Sequence, residues 1–239
     1  MNLTGKTILI TGGTQGLGKA LALKFDQLGA KLILVARREE FYLEFKDQLQ
    51  GKHQFYAVDV GNLGEVKQLA AQCADKKIDY LINNAGIFTT DELEQTTPER
   101  RQETIMTNLL GAINVTECFL PQLQKQDFCH LLFTASVAAL QGFGGDGPEW
   151  TTYNASKWGL RGYIIALKDK LKDQPLKIST IYPGGFESNI YQNTGVYQGE
   201  DHDQPWMIKT ASIVNAILFM LDQPRDVLIN ELIISKFYN

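Results

Sequence analysis

Lys6-Thr-Ile-Leu-Ile-Thr11-Gly12-Gly13-Thr14-Gln15-Gly16-Leu17-Gly18-Lys19 decides the architecture of this chain. An apolar run of strand character enters a glycine-rich turn, and Ala20-Leu-Ala-Leu-Lys-Phe25 continues with apolar residues at helical spacing as far as Leu28-Gly29. Lys31-Leu-Ile-Leu-Val-Ala36 then reads as a second strand, which completes a βαβ unit around the turn. Glycine at 12, 16 and 18 permits positive φ and close backbone approach. A dinucleotide's pyrophosphate can then sit on the helix N-terminus, where free amides and the helix dipole favour an anion. Gly13 to Lys19 also fits G-x-x-x-x-G-K, the phosphate loop of nucleoside triphosphatases, with Phe55-Tyr-Ala-Val-Asp59 as its acidic strand. That alternative needs a hydroxyl after the lysine to hold magnesium, and Ala20 has none.

A second stretch, Tyr153-Asn-Ala-Ser156-Lys157, carries the chemistry. On a helix, i and i+4 lie on one face a turn apart, so the ammonium of Lys157 acts on the phenol of Tyr153. A positive charge about 4 Å away at an effective dielectric of about 20 contributes roughly 4 kcal/mol, enough to lower a phenol by roughly three pKa units before desolvation opposes it. The expectation is a tyrosine brought into working range as a proton shuttle. Ser156 reads as a small packing residue beside it.

With both motifs in place, the chain resembles the short-chain dehydrogenase/reductase family, of the short, single-domain kind, over nearly its whole length. The family's T-G-x-x-x-G-x-G falls at Thr11 to Gly18, followed in order by Asp59-Val60, Asn83-Asn84-Ala85-Gly86, Asn108 in Asn-Leu-Leu-Gly, Ser136 in Thr-Ala-Ser-Val-Ala, Tyr153 with Lys157, and Pro183-Gly184-Gly185-Phe186-Glu187-Ser188. The resemblance implies an α/β fold. It is a single-domain Rossmann-type doubly wound sheet of about seven mostly parallel strands, flanked by helices on both faces and spanning residues 1–239. It implies dinucleotide contacts at Gly12, Gly13, Thr14, Gln15, Gly16, Leu17 and Gly18, at Asp59 and Val60 for the adenine, and at Asn84, Ala85 and Gly86 along the ribose path. Further contacts are implied at Tyr153, Lys157, Pro183, Gly184, Phe186 and Ser188. The implied activity is hydride transfer between a nicotinamide and a carbonyl or alcohol substrate. Tyr153 is then the general acid or base, Ser136 the hydroxyl on the substrate oxygen, and Lys157 the tuner of Tyr153 and holder of the nicotinamide ribose. Asn108 is the place where the family keeps a water linking the lysine to solvent.

The residues after the second strand choose the cofactor. An Asp or Glu there accepts from ribose hydroxyls and repels a 2′-phosphate, but this chain has Ala36-Arg37-Arg38. Arg37 offers a charge-assisted pair to the phosphate and Thr14 a further hydroxyl, so NADP(H) is favoured over NAD(H).

Strands are expected near 6–11, 31–36, 54–58, 78–83, 129–135, 176–181 and 227–234, with helices between them. Asn62 with Glu65 marks a capping-box-like helix entry, and Thr97-Pro98 puts proline at a first helical position. Two long helices near 98–124 and 152–172 are the expected surfaces of a homodimer or homotetramer. The interval from Ser136 to Tyr153 exceeds the family's usual one, and the glycine-rich Gly142 to Trp150 stretch accounts for the excess as a loop at the site's mouth. The segment from about Asn189 to Lys209, with Gly195, Gly199 and an acidic run, reads as a lid. Phe143, Trp150, Tyr191, Tyr197 and Trp206 hint at an apolar or ring-bearing substrate.

Composition narrows the rest. A chain of 239 residues that is 44% hydrophobic supports one sizeable core, and its net charge of −4 with no basic run longer than a pair such as Arg37-Arg38 speaks against nucleic acid or an anionic membrane as partner. No apolar run approaches a membrane span, so a cytoplasmic location is expected. Cys73, Cys118 and Cys129 form no metal or redox spacing, and His53, His130 and His202 show no ligand pattern, so no metal is expected. A non-catalytic NADP(H)-binding redox sensor is the alternative to an enzyme, but it predicts damage to the Ser, Tyr or Lys, and all are present.

Overall fold

The computed structural model describes residues 1–51, 53–88, 97–140, 150–188, 190 and 204–237. Seven strands form one sheet in the order β3-β2-β1-β4-β5-β6-β7. They are β1 Thr7–Thr11, β2 Lys31–Ala36, β3 Gln54–Ala57, β4 Tyr80–Asn83, β5 Cys129–Thr134, β6 Leu176–Pro183 and β7 Glu231–Ile234. Every pairing is parallel. The last strand is shorter than its expected 227–234, and β6 runs two residues past its expected end at 181. Between the strands lie α1 Gly16–Gln27, α2 Glu40–Leu43, α3 Leu63–Gln72, α4 Pro98–Ile105, α5 Ala112–Leu123, α6 Thr151–Lys170 and α7 Thr210–Leu221.

The near-continuous apolar strands are explained by burial on both faces, because successive side chains point to opposite sides. Leu9, Ile33, Leu81, Leu131 and Phe133 pack against Val66 and Leu69 of α3, Val115 and Phe119 of α5, and Leu160 and Ile164 of α6. Ile8, Ile10, Leu32, Leu34, Ile82 and Leu132 face the other way, onto Leu21 and Phe25 of α1 and Ile213 and Ile217 of α7. Adjacent residues of one strand thus belong to two separate cores.

Local signals set the helix entries. Asn62 Oδ1 accepts from the Gly64 and Glu65 amides at 3.0 and 3.4 Å. Glu65 reaches back to the Asp59 amide at 2.8 Å, so the reciprocal box closes three residues earlier than the usual form. Thr97 caps α4 through the Arg100 amide, with Pro98 at its first turn. The expected long helix near 98–124 is interrupted by a π-helical turn, Met106–Gly111. Gly111 leaves room there for Val60, whose Cγ2 would stand 2.6 Å from an added Cβ and would have to shift. No composition rule announces such a turn.

Two histidines have structural duties. His53 Nδ1 accepts from the Leu32 amide at 3.1 Å, which leaves its Nε2 hydrogen for Asp26 Oδ1 at 2.7 Å. His130 Nε2 lies 2.8 Å from Ser179 Oγ, whose own hydrogen goes to the Ile229 carbonyl, so the imidazole Nε2 is the donor. His202 and the Gly142-rich loop lie outside the described residues, as do 189 and 191–203 of the expected lid. The described far end of that segment packs on the sheet edge. Met207 and Ile208 are buried, Ile208 bridges to Phe186, and Trp206 covers Gly185, where a Cβ would stand 2.3 Å from its ring. Among the described residues no helix is long and apolar enough to cross a membrane.

Candidate active site

The strand order reverses direction between β1 and β4, and a cleft opens beyond the carboxyl ends of those two strands. Its cavity measures about 520 Å³. Thr11 sews the two strand ends together: its hydroxyl accepts from the Asn84 and Ala85 amides at 3.0 and 3.1 Å and donates to the Ile82 carbonyl. Asn84 answers through Nδ2, which donates to the Thr11 and Gly12 carbonyls at 3.2 and 3.3 Å. The glycines are required by this closeness. Gly12 (φ +63) and Gly16 (φ +47) adopt left-handed backbone, and a Cβ on Gly18 would lie 2.0 Å from the Gly12 carbonyl oxygen.

The residues fit a dinucleotide's pyrophosphate. Gln15, at the N-cap of α1, makes no side-chain cap, and the first turn carries no acid, so its leading amides face the cleft unclaimed by a capping group. The phosphate-loop alternative fails on Lys19, whose ammonium sits 5.0 Å above the Phe45 ring, away from the turn. Gly12, Thr14, Gln15, Gly16 and Leu17 line the cavity, followed by Arg37, Arg38, Asp59, Val60, Asn84, Ala85 and Gly86, and at the far end Tyr153, Lys157, Phe186 and Ser188. Gly13, Gly18, Pro183 and Gly184 do not. Gly13 packs on Leu34, Gly18 on Gly12, and the Gly184 amide extends the sheet to the Ile234 carbonyl.

Ser136 follows β5 and starts a 3₁₀ turn, Val137–Ala139, by accepting from the Ala138 amide at 3.1 Å. Its hydroxyl is near enough to that of Tyr153 to favour the phenolate. Lys157 Nζ lies 5.6 Å from the Tyr153 ring centroid and 3.5 Å from the Thr134 carbonyl. Both side chains are buried, at 8% and 5% exposure. That burial opposes the expected tuning. Desolvation holds Tyr153 above the ordinary phenol value, the Ser136 hydroxyl offsetting it in part, while burial pushes Lys157 down to about 8. A low dielectric strengthens the attraction between the two groups, but removing them from water disfavours both charged forms, and here that desolvation is the larger effect.

Asn108 lies in the π-helical turn, where its amide is fully engaged. Its Oδ1 accepts from the Ile87 amide at 2.8 Å, and Nδ2 donates to the Ile87 carbonyl at 2.9 Å and to Ser156 Oγ at 3.1 Å. Ser156 is therefore more than packing: fully buried, it also donates to the Tyr153 carbonyl at 2.7 Å. Sequence reading also missed Phe88, whose ring meets Tyr153 edge-on at 4.9 Å and Trp150 at 5.0 Å, and Glu103, which pairs with Arg37. The spacing Arg100, Glu103, Thr107 along one helical face was the available signal for the last, but only a known cleft gives that face a meaning. Among the described residues no His, Cys, Asp or Glu cluster able to hold a metal is present.

A profile described as short chain dehydrogenase matches residues 6–197, the span holding every motif of the cleft. The chain belongs to the short-chain dehydrogenase family. A family relative in Listeria monocytogenes, an uncharacterized oxidoreductase, is 28% identical and aligns over 97% of this chain and 96% of its own. The 3-oxoacyl-[acyl-carrier-protein] reductase of Thermotoga maritima is 31% identical over 79% of this chain and 77% of its own. Among solved structures, the alcohol dehydrogenase of Thermococcus sibiricus, complexed with 5-hydroxy-NADP, shares the fold at a TM-score of 0.84, covering 98% of this chain and 97% of that one at 24% identity. The short-chain dehydrogenase assignment makes the chain an oxidoreductase with a Rossmann-like parallel sheet flanked by helices.

Proposed function

We propose that this short-chain dehydrogenase interconverts a carbonyl compound and its alcohol with NADP(H) as redox partner. When bound, the dinucleotide supplies or takes up the hydride. Gly12 to Leu17 would hold its pyrophosphate, Asp59 and Val60 the adenine, and Arg37 with Thr14 the 2′-phosphate. The protein's own work is then proton handling. In reduction Tyr153 donates its hydroxyl proton to the substrate oxygen, and in oxidation the phenolate accepts it. Ser136 donates a hydrogen bond to the same oxygen, where negative charge develops. Lys157 would hold the nicotinamide ribose and, while charged, offset part of the desolvation that disfavours the phenolate. Asn108 and Ser156 position the helix turn that carries both.

The observation that carries this reading is that Tyr153 and Lys157, with the Ser136 hydroxyl beside the phenol, line the same cavity as the glycine turn. A redox sensor has no use for that proton-moving set. The 3-oxoacyl reductase relative, at 31% identity, lends the carbonyl direction support. We read the whole of residues 1–239 as one domain, acting in the cytoplasm as a homodimer or homotetramer through α4, α5 and α6. The apolar Trp158 and Ile165, 46% and 52% exposed on α6, support that surface.

The test is loss of NADPH and NADH absorbance against ketones, aldehydes, quinones and carrier-bound keto esters. Turnover of at least one class, faster with NADPH, is expected. Tight binding of NADPH without turnover on any class would favour the sensor.

A further inference from the structure

Arg37 and Glu103 approach the cleft from opposite sides. Arg37 follows β2, Glu103 projects from α4, and their Nη1 and Oε1 atoms stand 2.8 Å apart with the side chains 40% and 39% exposed. Both line the cavity, so the ion pair spans its mouth. The neighbouring Arg38 is engaged elsewhere, donating to Gln15 Oε1 at 3.2 Å and lying 4.2 Å from the Phe41 ring centroid.

We propose that Glu103 is a specificity-determining residue that weakens the cleft's preference for a 2′-phosphorylated dinucleotide by competing with the phosphate for Arg37. The inference rests on the reading of Arg37 as phosphate partner given above. A phosphate that takes the planar guanidinium fork must displace the Glu103 carboxylate or settle beside it, and two like charges a few ångströms apart repel. A ribose with a free 2′-hydroxyl meets no such repulsion. A carboxylate at that rim is instead an acceptor for ribose hydroxyls, the same chemistry by which an acid after the second strand selects the unphosphorylated cofactor. Arg37 and Glu103 therefore form a composite reader whose two halves favour different dinucleotides. The cleft discriminates less than Arg37 alone would allow, because specificity is the difference between two affinities and Glu103 narrows it from both sides.

The experiment is Glu103→Gln, which keeps size and polarity and removes the charge. Calorimetric Kd values for NADPH, NADH, 2′,5′-ADP and 5′-AMP are measured on wild type and variant, with a thermal melt to verify folding. NADPH and 2′,5′-ADP are expected to bind about two- to fivefold more tightly to the variant, the range that an exposed ion pair carries. NADH and 5′-AMP should hold or weaken, and the gain in ratio should shrink in 0.5 M salt as screening shortens to about 4 Å. An unchanged ratio would make the pair a surface contact without a role in recognition. A ratio that falls would mean that Glu103 orients Arg37 for the phosphate, which also overturns the proposal. Wild-type protein that binds neither dinucleotide would remove the underlying reading itself, and that measurement comes first.

Discussion

Asn108 Nδ2 donates to Ser156 Oγ at 3.1 Å, which ties the π-helical turn of one helix to the Tyr153–Lys157 turn of another. The same amide clamps the Ile87 backbone, so the loop after β4, the π turn and the start of α6 meet at one buried side chain. Ser156→Ala leaves Asn108 Nδ2 short of an acceptor in a dry site. It should cost about 1–3 kcal/mol of stability in urea titration and lower kcat more than it changes the NADPH Kd. A loss under about 0.5 kcal/mol with kcat intact would return Ser156 to a packing role.

Tyr153→Phe keeps the ring that Phe88 packs against and removes the proton donor. NADPH affinity should stay within about twofold of wild type while kcat falls by about 10² to 10⁴. Retention of more than about a tenth of wild-type kcat would sink the assignment of Tyr153 as general acid.

The pH dependence of reduction follows from burial. Tyr153 is held above its ordinary value and stays protonated through neutral pH, while Lys157 is pushed down to about 8 and loses its charge above it. In the free enzyme kcat/KM for reduction should therefore decline as pH rises through about 8, and Lys157→Arg should move that limb upward because a guanidinium does not deprotonate. A limb that stays at about pH 8 in the arginine variant would assign it to another group.

Gly18→Ala places a Cβ 2.0 Å from the Gly12 carbonyl, and backbone cannot move aside as a flexible side chain would. The variant should lose about 1–3 kcal/mol or more and bind dinucleotide far more weakly. Gly162→Ala is the control, since nothing lies within 4 Å of a Cβ there, and it should melt at or above wild type.

His130 makes the core acid-sensitive. Desolvation first, and the nearby Lys177 charge second, hold the imidazole down at about 3, against an ordinary value of 6.5. Between those values the unfolded chain binds a proton that the folded one refuses, so the stability of the neutral state is complete above about pH 6.5 and is lost as pH falls toward 3. His130→Gln should be less stable than wild type at pH 7.5, with the gap narrowing by about 2 kcal/mol at pH 5, as read from urea midpoints. A gap of constant size would mean that the imidazole does not govern the acid limb.

The glycine turn, the order of the motifs and the strand positions were readable along the chain because each depends on near neighbours. A turn needing positive φ at Gly12 and Gly16, an apolar strand buried on both faces, and a helix entry capped by Asn62 or Thr97 are written within a few residues. The family's site residues could be named for the same reason, being carried by short motifs. Tertiary structure decided what depends on distant partners and on dielectric. Whether Lys157 or burial governs Tyr153 turned on how much water the packed helices admit, which spacing along α6 does not reveal. Arg37 proved to be one half of an ion pair with a residue 66 positions away, and Ser156 a junction to one 48 positions away. Hydrogen bonds and charges act through space over a few ångströms, so their partners exist only once the sheet has brought the carboxyl ends of β1, β2 and β4 to one cleft.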